Sequence, residues 1–223
     1  MSLPAQLVLD LPARTALERE DFFEAPSNAL AVARIDLWRE WPQGRLLLLG
    51  RQGAGKSHLA SVWAKQSGAA ILTARALEHV PECGPVAIED VDRIAGNPAA
   101  ETALFHAFNQ LASEGRSLLL TSGLDVARAG FVLPDLVSRL QAMDVALLAA
   151  PDEALLSAIL LKLFRDRQLN VTDDIISYIT DRMERSFSAA HALVAELDRR
   201  ALAGQRAITK PLVRQTLQEM DQP

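Results

Sequence analysis

Lysine is scarce in this chain, with 4 residues against 19 arginines, and the formal net charge over 223 residues is −5. Residues 1–150 carry 13 basic and 17 acidic side chains, and residues 151–223 carry 10 and 11. Neither part is a basic module. A protein held on DNA by its own phosphate contacts needs clustered Lys and Arg, so direct specific DNA binding is not expected. Cysteine is scarcer still. Cys83 stands alone, which excludes an internal disulfide framework or a Cys-based metal cluster and suits a reducing cytoplasm. Apolar runs such as Leu46–Leu49 fall far short of the roughly 20 residues that span a bilayer. The first residues lack the basic and apolar pattern of an export signal. His58, His79, His106 and His191 form no metal-ligand spacing. What remains is 49% hydrophobic and 23% charged, a globular composition. A cytoplasmic protein with no membrane association is expected, built as one large domain or as a core plus a small one.

The order of patterns favours the second arrangement. Residues 1–27 read as an extended lead, punctuated by Pro4, Pro12 and Pro26, with a short apolar–acidic patch from Gln6 to Leu11. Residues 28–150 then alternate strand and helix patterns. Helical spacing of Leu30, Ala33, Leu37 and Trp41 predicts a helix over 28–41, with Asn28 as its cap. Strands are predicted near 45–49, 69–72, 86–88, 117–120 and 145–148. Helices are predicted over 56–66, 102–114 and 133–143. Such alternation predicts an α/β fold, a parallel sheet between helices. Residues 151–223 read as four helices, over 152–168, 173–184, 188–203 and 210–220. Asp152 and Thr209 are candidate caps, Gly204 is a candidate terminator, and Pro211 lies near a helix start.

Gly50-Arg51-Gln52-Gly53-Ala54-Gly55-Lys56-Ser57 matches G-x-x-x-x-G-K-[ST] between a strand and a helix, the context that phosphate-binding loop requires. Glycines let the backbone wrap the phosphates, and N–H groups at the helix start point at the anion. Lys56 reaches the β- and γ-phosphates and Ser57 ligates Mg²⁺ in such a loop. The next strand ends in Glu89 and Asp90, two carboxylates suited to holding Mg²⁺ and polarising a water. The following strand ends in Thr121-Ser122, where a polar side chain can sense a γ-phosphate, and then in Gly123. Arg51, Gln52, Ala54, His58 and Thr121 complete the candidate nucleotide-binding set, and Ser57 with Glu89 the candidate magnesium set. Taken alone, Arg139 in Ser138-Arg139-Leu140 reads as a solvated helix residue. Trp38, Trp41 and Trp63 read as core or interface.

This order of phosphate loop, acidic strand end, Thr-Ser strand end, Leu133-Pro-Asp-Leu-Val-Ser-Arg139 helix and four-helix lid resembles the AAA+ ATPases. Within them it resembles the DnaA-type replication initiators, and Leu104-Phe-His-Ala-Phe-Asn109 is similar to their helix after the acidic strand. The resemblance is nearest to the Hda family of regulatory inactivators of DnaA. It implies an AAA+ core of five parallel strands over 28–150 and a lid over 151–223. It further implies that Gln6, Leu7, Leu9 and Leu11 form a motif for the DNA polymerase sliding clamp, an extended-peptide mode of recognition. Arg139 would be an arginine finger acting in trans on ATP held by the DnaA initiator, with Glu89 and Asp90 as the catalytic carboxylates of the chain's own site. ADP or ATP with Mg²⁺ would be its ligand, with further contacts near Phe22, Phe23 and Asn28. A homodimer fits the family's habit of completing sites between subunits.

Three departures bear on activity. Glu89 stands where the initiators have a first aspartate. Gly123 and Ser188 stand where they have a polar sensor and, by alignment on Leu197-Asp198, a sensor arginine. The protein's own ATPase is therefore expected to be weak, and its main action to be on a partner. The initiators' DNA-binding domain is not expected here. Two other readings stay open: a freestanding AAA+ ATPase such as a helicase loader, and a DnaA paralogue without that domain.

Overall fold

The computed structural model describes residues 25–204 and 207–220. The tail motif Gln6–Leu11 and the phenylalanines Phe22 and Phe23 lie outside the described residues.

Five strands, β1 (Arg45–Leu49), β2 (Ala70–Thr73), β3 (Val86–Glu89), β4 (Leu118–Ser122) and β5 (Asp144–Leu147), form one sheet in the order β2-β3-β4-β1-β5. Every pairing is parallel. A parallel sheet needs both faces covered, which is why β1 reads as an unbroken leucine run. The period of two divides that run between two cores. Leu46 and Leu48 face one side, with Ala87 and Leu119, against α1 (Ala29–Asp36) and α2 (Lys56–Ser67). Leu47 faces the other, with Val86, Ile88, Leu118 and Leu120, against α3 (Pro98–Ser113) and α5 (Pro134–Gln141). A short helix, α4 (Val126–Ala129), lies between β4 and α5.

From residue 153 the chain is helical: α6 (Glu153–Asp166), α7 (Asp173–Thr180), α8 (Phe187–Gly204) and α9 (Lys210–Met220). Their inward faces, Leu156, Leu160, Phe164, Ile176, Ile179, Leu193, Val194, Leu197 and Val213 among them, make a third core. Asp152 caps α6, its carboxylate accepting from Leu155 N–H at 2.8 Å. The Thr209 carbonyl accepts from Val213 N–H in the first turn of α9, and Gly204 is the last residue of α8. Among the described residues no helix is long and apolar enough to cross a membrane.

Three local readings need correction. The first helix ends at Asp36, and Trp38–Glu40 form a separate 3-10 turn. Its ending is fixed by tertiary packing: Trp41 Nε1 donates to the Arg34 carbonyl at 2.6 Å, and the Trp41 ring stacks on buried Trp63 at 5.2 Å. Asn28 sits at the cap position of α1, but its side chain makes no capping bond to the helix and accepts instead from Ala25 N–H. Helix α3 begins at Pro98, earlier than the apolar spacing indicates. Asn97 accepts from Ala100 N–H, and proline suits a first helical position because its missing N–H costs nothing there.

Candidate functional site

Parallel pairing puts the carboxyl ends of all five strands on one edge, the usual place for a ligand in such sheets. The loop after β1, the turn after β3 and the end of β4 meet there. Gly50 N–H donates to the Ser122 carbonyl at 3.1 Å. A Cβ at Gly50 would fall 2.6 Å from the Leu148 carbonyl oxygen, so only glycine lets the loop leave the sheet so close to the end of β5. Gly53 and Gly55 have φ of +75° and +98°, conformations that side chains resist. Gly55 is the cap of α2, so the loop delivers its backbone to the positive end of a helix dipole.

Lys56 is the first residue of α2 and is buried. Its ammonium donates to the carbonyls of Gly50 at 2.8 Å and Arg51 at 3.1 Å. Burial pushes its pKa below the ordinary lysine value. Asp90 and Asp92 push it back, Arg93 adds to the lowering, and Glu89 opposes it. The cation thus faces three carboxylates from the turn after β3. Ser57 is exposed and His58 half-buried on the next positions of α2, while Ala54 is buried within the loop and Arg51 and Gln52 are exposed on it. Arg93 Nη2 donates to Gln52 Oε1 at 3.3 Å, joining the loop to that turn.

Glu89 is half-buried at the end of β3, and its Oε1 is a buried acceptor with no hydrogen-bond partner. Buried carboxylate oxygens are normally paired, by protein, water or an ion. Glu89 therefore fits a magnesium ion or its water shell. No group of three His, Cys, Asp or Glu side chains able to hold a metal occurs among the described residues. Magnesium carried by a nucleotide needs none, because phosphate oxygens, water and one hydroxyl such as Ser57 supply its ligands. The loop, Lys56, Ser57 and Glu89 together fit a Mg-nucleotide.

Asp90 adopts φ +57°, unusual for a residue with a side chain and common at functional turns. Its N–H donates to Thr121 Oγ1 at 3.0 Å. Thr121 is fully buried, and its hydroxyl holds the acidic turn in place. Asp92, which the sequence reading passed over, accepts from Gly123 N–H at 2.8 Å. A Cβ at Gly123 would sit 3.0 Å from Asp92 Oδ2. Position 123 lacks a side chain because a carboxylate from the neighbouring turn takes the space.

The lid reaches the same loop. Phe187 N–H, at the start of α8, donates to the Gly53 carbonyl at 2.8 Å. A Cβ at Gly53 would lie 2.4 Å from Ser188 Oγ and 2.7 Å from Ser186 Cβ. The Ser186 hydroxyl also accepts from Ala189 N–H, capping the first turn of α8. Ser188 thus stands against the phosphate loop and carries no charge there. Ser186 and Phe187 have no local signal in the sequence, since their partner Gly53 is remote along the chain.

Arg139 lies elsewhere. It is exposed in the last turn of α5. The Arg45 guanidinium is held below the ordinary arginine value by burial first and then by the charge of Arg139. Arg45 opens β1, whereas the phosphate loop follows its other end, about 13 Å away for a five-residue strand.

Comparison with known proteins agrees with this geometry. Residues 152–217 match the family described as the lid domain of Hda. Domain III of the replication initiation protein DnaA from Thermotoga maritima has a TM-score of 0.80 at 18% identity, over 96% of this chain and 100% of that one. AMPPCP-bound DnaA from Aquifex aeolicus gives 0.70 at 18% identity, over 91% and 69% of the two chains. The RuvB Holliday junction branch migration motor of Thermotoga maritima gives 0.62 at 18% identity, over 87% and 67%. The chain thus shares the fold of DnaA domain III, and its residues 152–217 match the Hda lid family.

Proposed function

We propose that this protein regulates the initiation of chromosomal replication by promoting ATP hydrolysis on a DnaA-type initiator, with Arg139 as an arginine finger supplied in trans. The observation that carries this reading is the placement of Arg139: exposed in the last turn of α5, just before β5, whose first residue Asp144 pairs with Leu46 at the opposite end of β1 from its own phosphate loop. A guanidinium there serves a nucleotide outside its own subunit. Such a finger neutralises charge developing on the transferred phosphoryl group and is worth about 10³–10⁵ in rate. The Hda lid supports an initiator as the partner.

ADP or ATP with Mg²⁺ is held through Gly50–Ser57, with Glu89 near the metal, and acts as a switch or structural ligand. Its hydrolysis in cis is slow on this reading. Asp92 occupies the space a side chain at 123 would use, and Ser188 brings no cation from the lid. The tail residues Gln6, Leu7, Leu9 and Leu11 dock on the sliding clamp, which brings an acidic protein to DNA without DNA contacts of its own. Residues 28–150 and 151–223 work as one unit, since the lid touches the loop at Gly53. Self-association as a homodimer would place Arg139 of one copy near the loop of the next.

The test is an initiator ATPase assay with clamp loaded on DNA, comparing wild type with Arg139→Ala and Gln6→Ala. Both variants are expected to lose stimulation, Gln6→Ala with loss of clamp pull-down. Stimulation by Arg139→Ala equal to wild type would end the proposal. A second reading, a freestanding ATPase, draws on the unpartnered Glu89 oxygen beside the phosphate loop. Robust turnover by the isolated protein, abolished in Lys56→Ala, would favour it.

A further inference from the structure

Glu101 is fully buried in the first turns of α3. Its Oε1 accepts from Gly96 N–H at 2.7 Å and Val132 N–H at 3.1 Å. Its Oε2 accepts from Val132 N–H at 2.9 Å and Leu133 N–H at 2.7 Å. A buried carboxylate is costly unless hydrogen bonds satisfy it, and charge-assisted bonds of this length are strong ones. These donors are backbone groups of two segments far apart in sequence.

Each segment leads to a functional group. Gly96 follows the 3-10 turn Val91–Ile94, which Ala95 caps by donating its N–H to the Asp92 carbonyl while the Asp92 carboxylate holds Gly123. Leu133 is the cap residue of α5, the helix that carries Arg139. Val132 is 56% exposed, so packing of its side chain does not fix the approach to α5. Phe131 and Leu133 on either side pack against the core, and Glu101 anchors the backbone between them.

We infer that Glu101 is a positioning residue for Arg139, one carboxylate that holds the start of the α5 helix in register with the acidic turn of the nucleotide site. This rests on the trans role proposed for Arg139. Through Oε1, Gly96 and Val132 share one acceptor, so the end of the acidic turn and the start of α5 are held against the same carboxylate.

Glu101→Gln tests this at constant shape. An amide offers one acceptor oxygen and turns an NH₂ donor toward either Gly96 and Val132 or Val132 and Leu133, so part of the clamp must open. With ATP-loaded DnaA-type initiator and clamp on DNA, maximal stimulation by the full chain should fall about 10- to 100-fold, the cost of misplacing a reacting group by about 1 Å. The concentration giving half-maximal effect and the affinity for ADP should not change. In an Arg139→Ala background, Glu101→Gln should cost nothing further, because positioning has nothing left to act on. Amide exchange on the wild type, which needs no variant, should show Val132 and Leu133 N–H protected despite the exposed Val132 side chain. Full stimulation by Glu101→Gln, an added loss in the Arg139→Ala background, or fast exchange of both amides would overturn the inference. Full stimulation by Arg139→Ala would instead overturn the trans reading beneath it.

Discussion

Gly53 joins core and lid through a contact that no side chain at that position could permit. Its φ is +75°, and the space a Cβ would fill belongs to Ser186 and Ser188. Gly53→Ala should cost about 1–3 kcal/mol through backbone strain and overpacking, read as a lower Tm in thermal unfolding, and should weaken the bond between Phe187 and the loop. Lys56 holds two loop carbonyls and faces the carboxylates of the β3 turn. Lys56→Ala should weaken ADP binding about 10- to 100-fold, the worth of lost hydrogen bonds from a charged donor, as measured by calorimetric titration. The loop residues were legible in sequence because their chemistry is local: glycines for the turn and a lysine at the helix start. Asp92, Glu101 and Ser186 were not. Each acts on backbone groups far along the chain, and nothing in the local spacing separates them from solvated polar residues. Thr121 was legible as a polar strand end, but its bond to Asp90 N–H depends on the register of two strands.

Helices α8 and α9 are tied by an ion network. Glu196 accepts from Arg199 and Arg200, and Arg200 also donates to Glu219. The hydrogen bonds from Arg199 and then Arg200 hold the Glu196 carboxyl down at about 2. Its folded-state pKa is depressed, so its contribution is present above the unfolded value of about 4.5 and is lost as pH falls toward about 2. His191 acts earlier on the same limb. Burial first, then Arg167 and Lys162, lower its pKa from 6.5, so protonation below that value disfavours the folded lid. Far-UV circular dichroism melts should show Tm falling below pH 6.5 and again below about 4.5. The second fall should flatten in Glu196→Gln. At this scale the sequence was most readable where burial is simple. The leucine run of β1 and the periodic faces of α6, α8 and α9 appear where their patterns put them, while α7 stops at Thr180, short of the 173–184 its pattern suggests. The end of α1 was obscured because Leu30 and Leu37 fit a helical stripe yet stay exposed, and Trp41 is drawn away by Trp63.

Over the whole molecule, parallel pairing sends every strand's carboxyl end to one edge, where the loop, the acidic turn and the lid meet. At the other end of β1 the sheet carries Arg45, and helix α5 with Arg139 leads into β5, whose first residue Asp144 pairs with Leu46. On the function proposed above, one edge of the molecule binds nucleotide and Arg139 is offered to another molecule's nucleotide. That division was visible in sequence only through the resemblance, since a single arginine on a helix carries no signal of its own. The direct measurement is single-turnover hydrolysis of ATP bound to a DnaA-type initiator, with clamp-loaded DNA and either wild type or Arg139→Ala. The substitution should remove about 10³-fold or more of the stimulation while nucleotide binding at Gly50–Ser57 and clamp binding stay intact. Equal stimulation by the two proteins would contradict it.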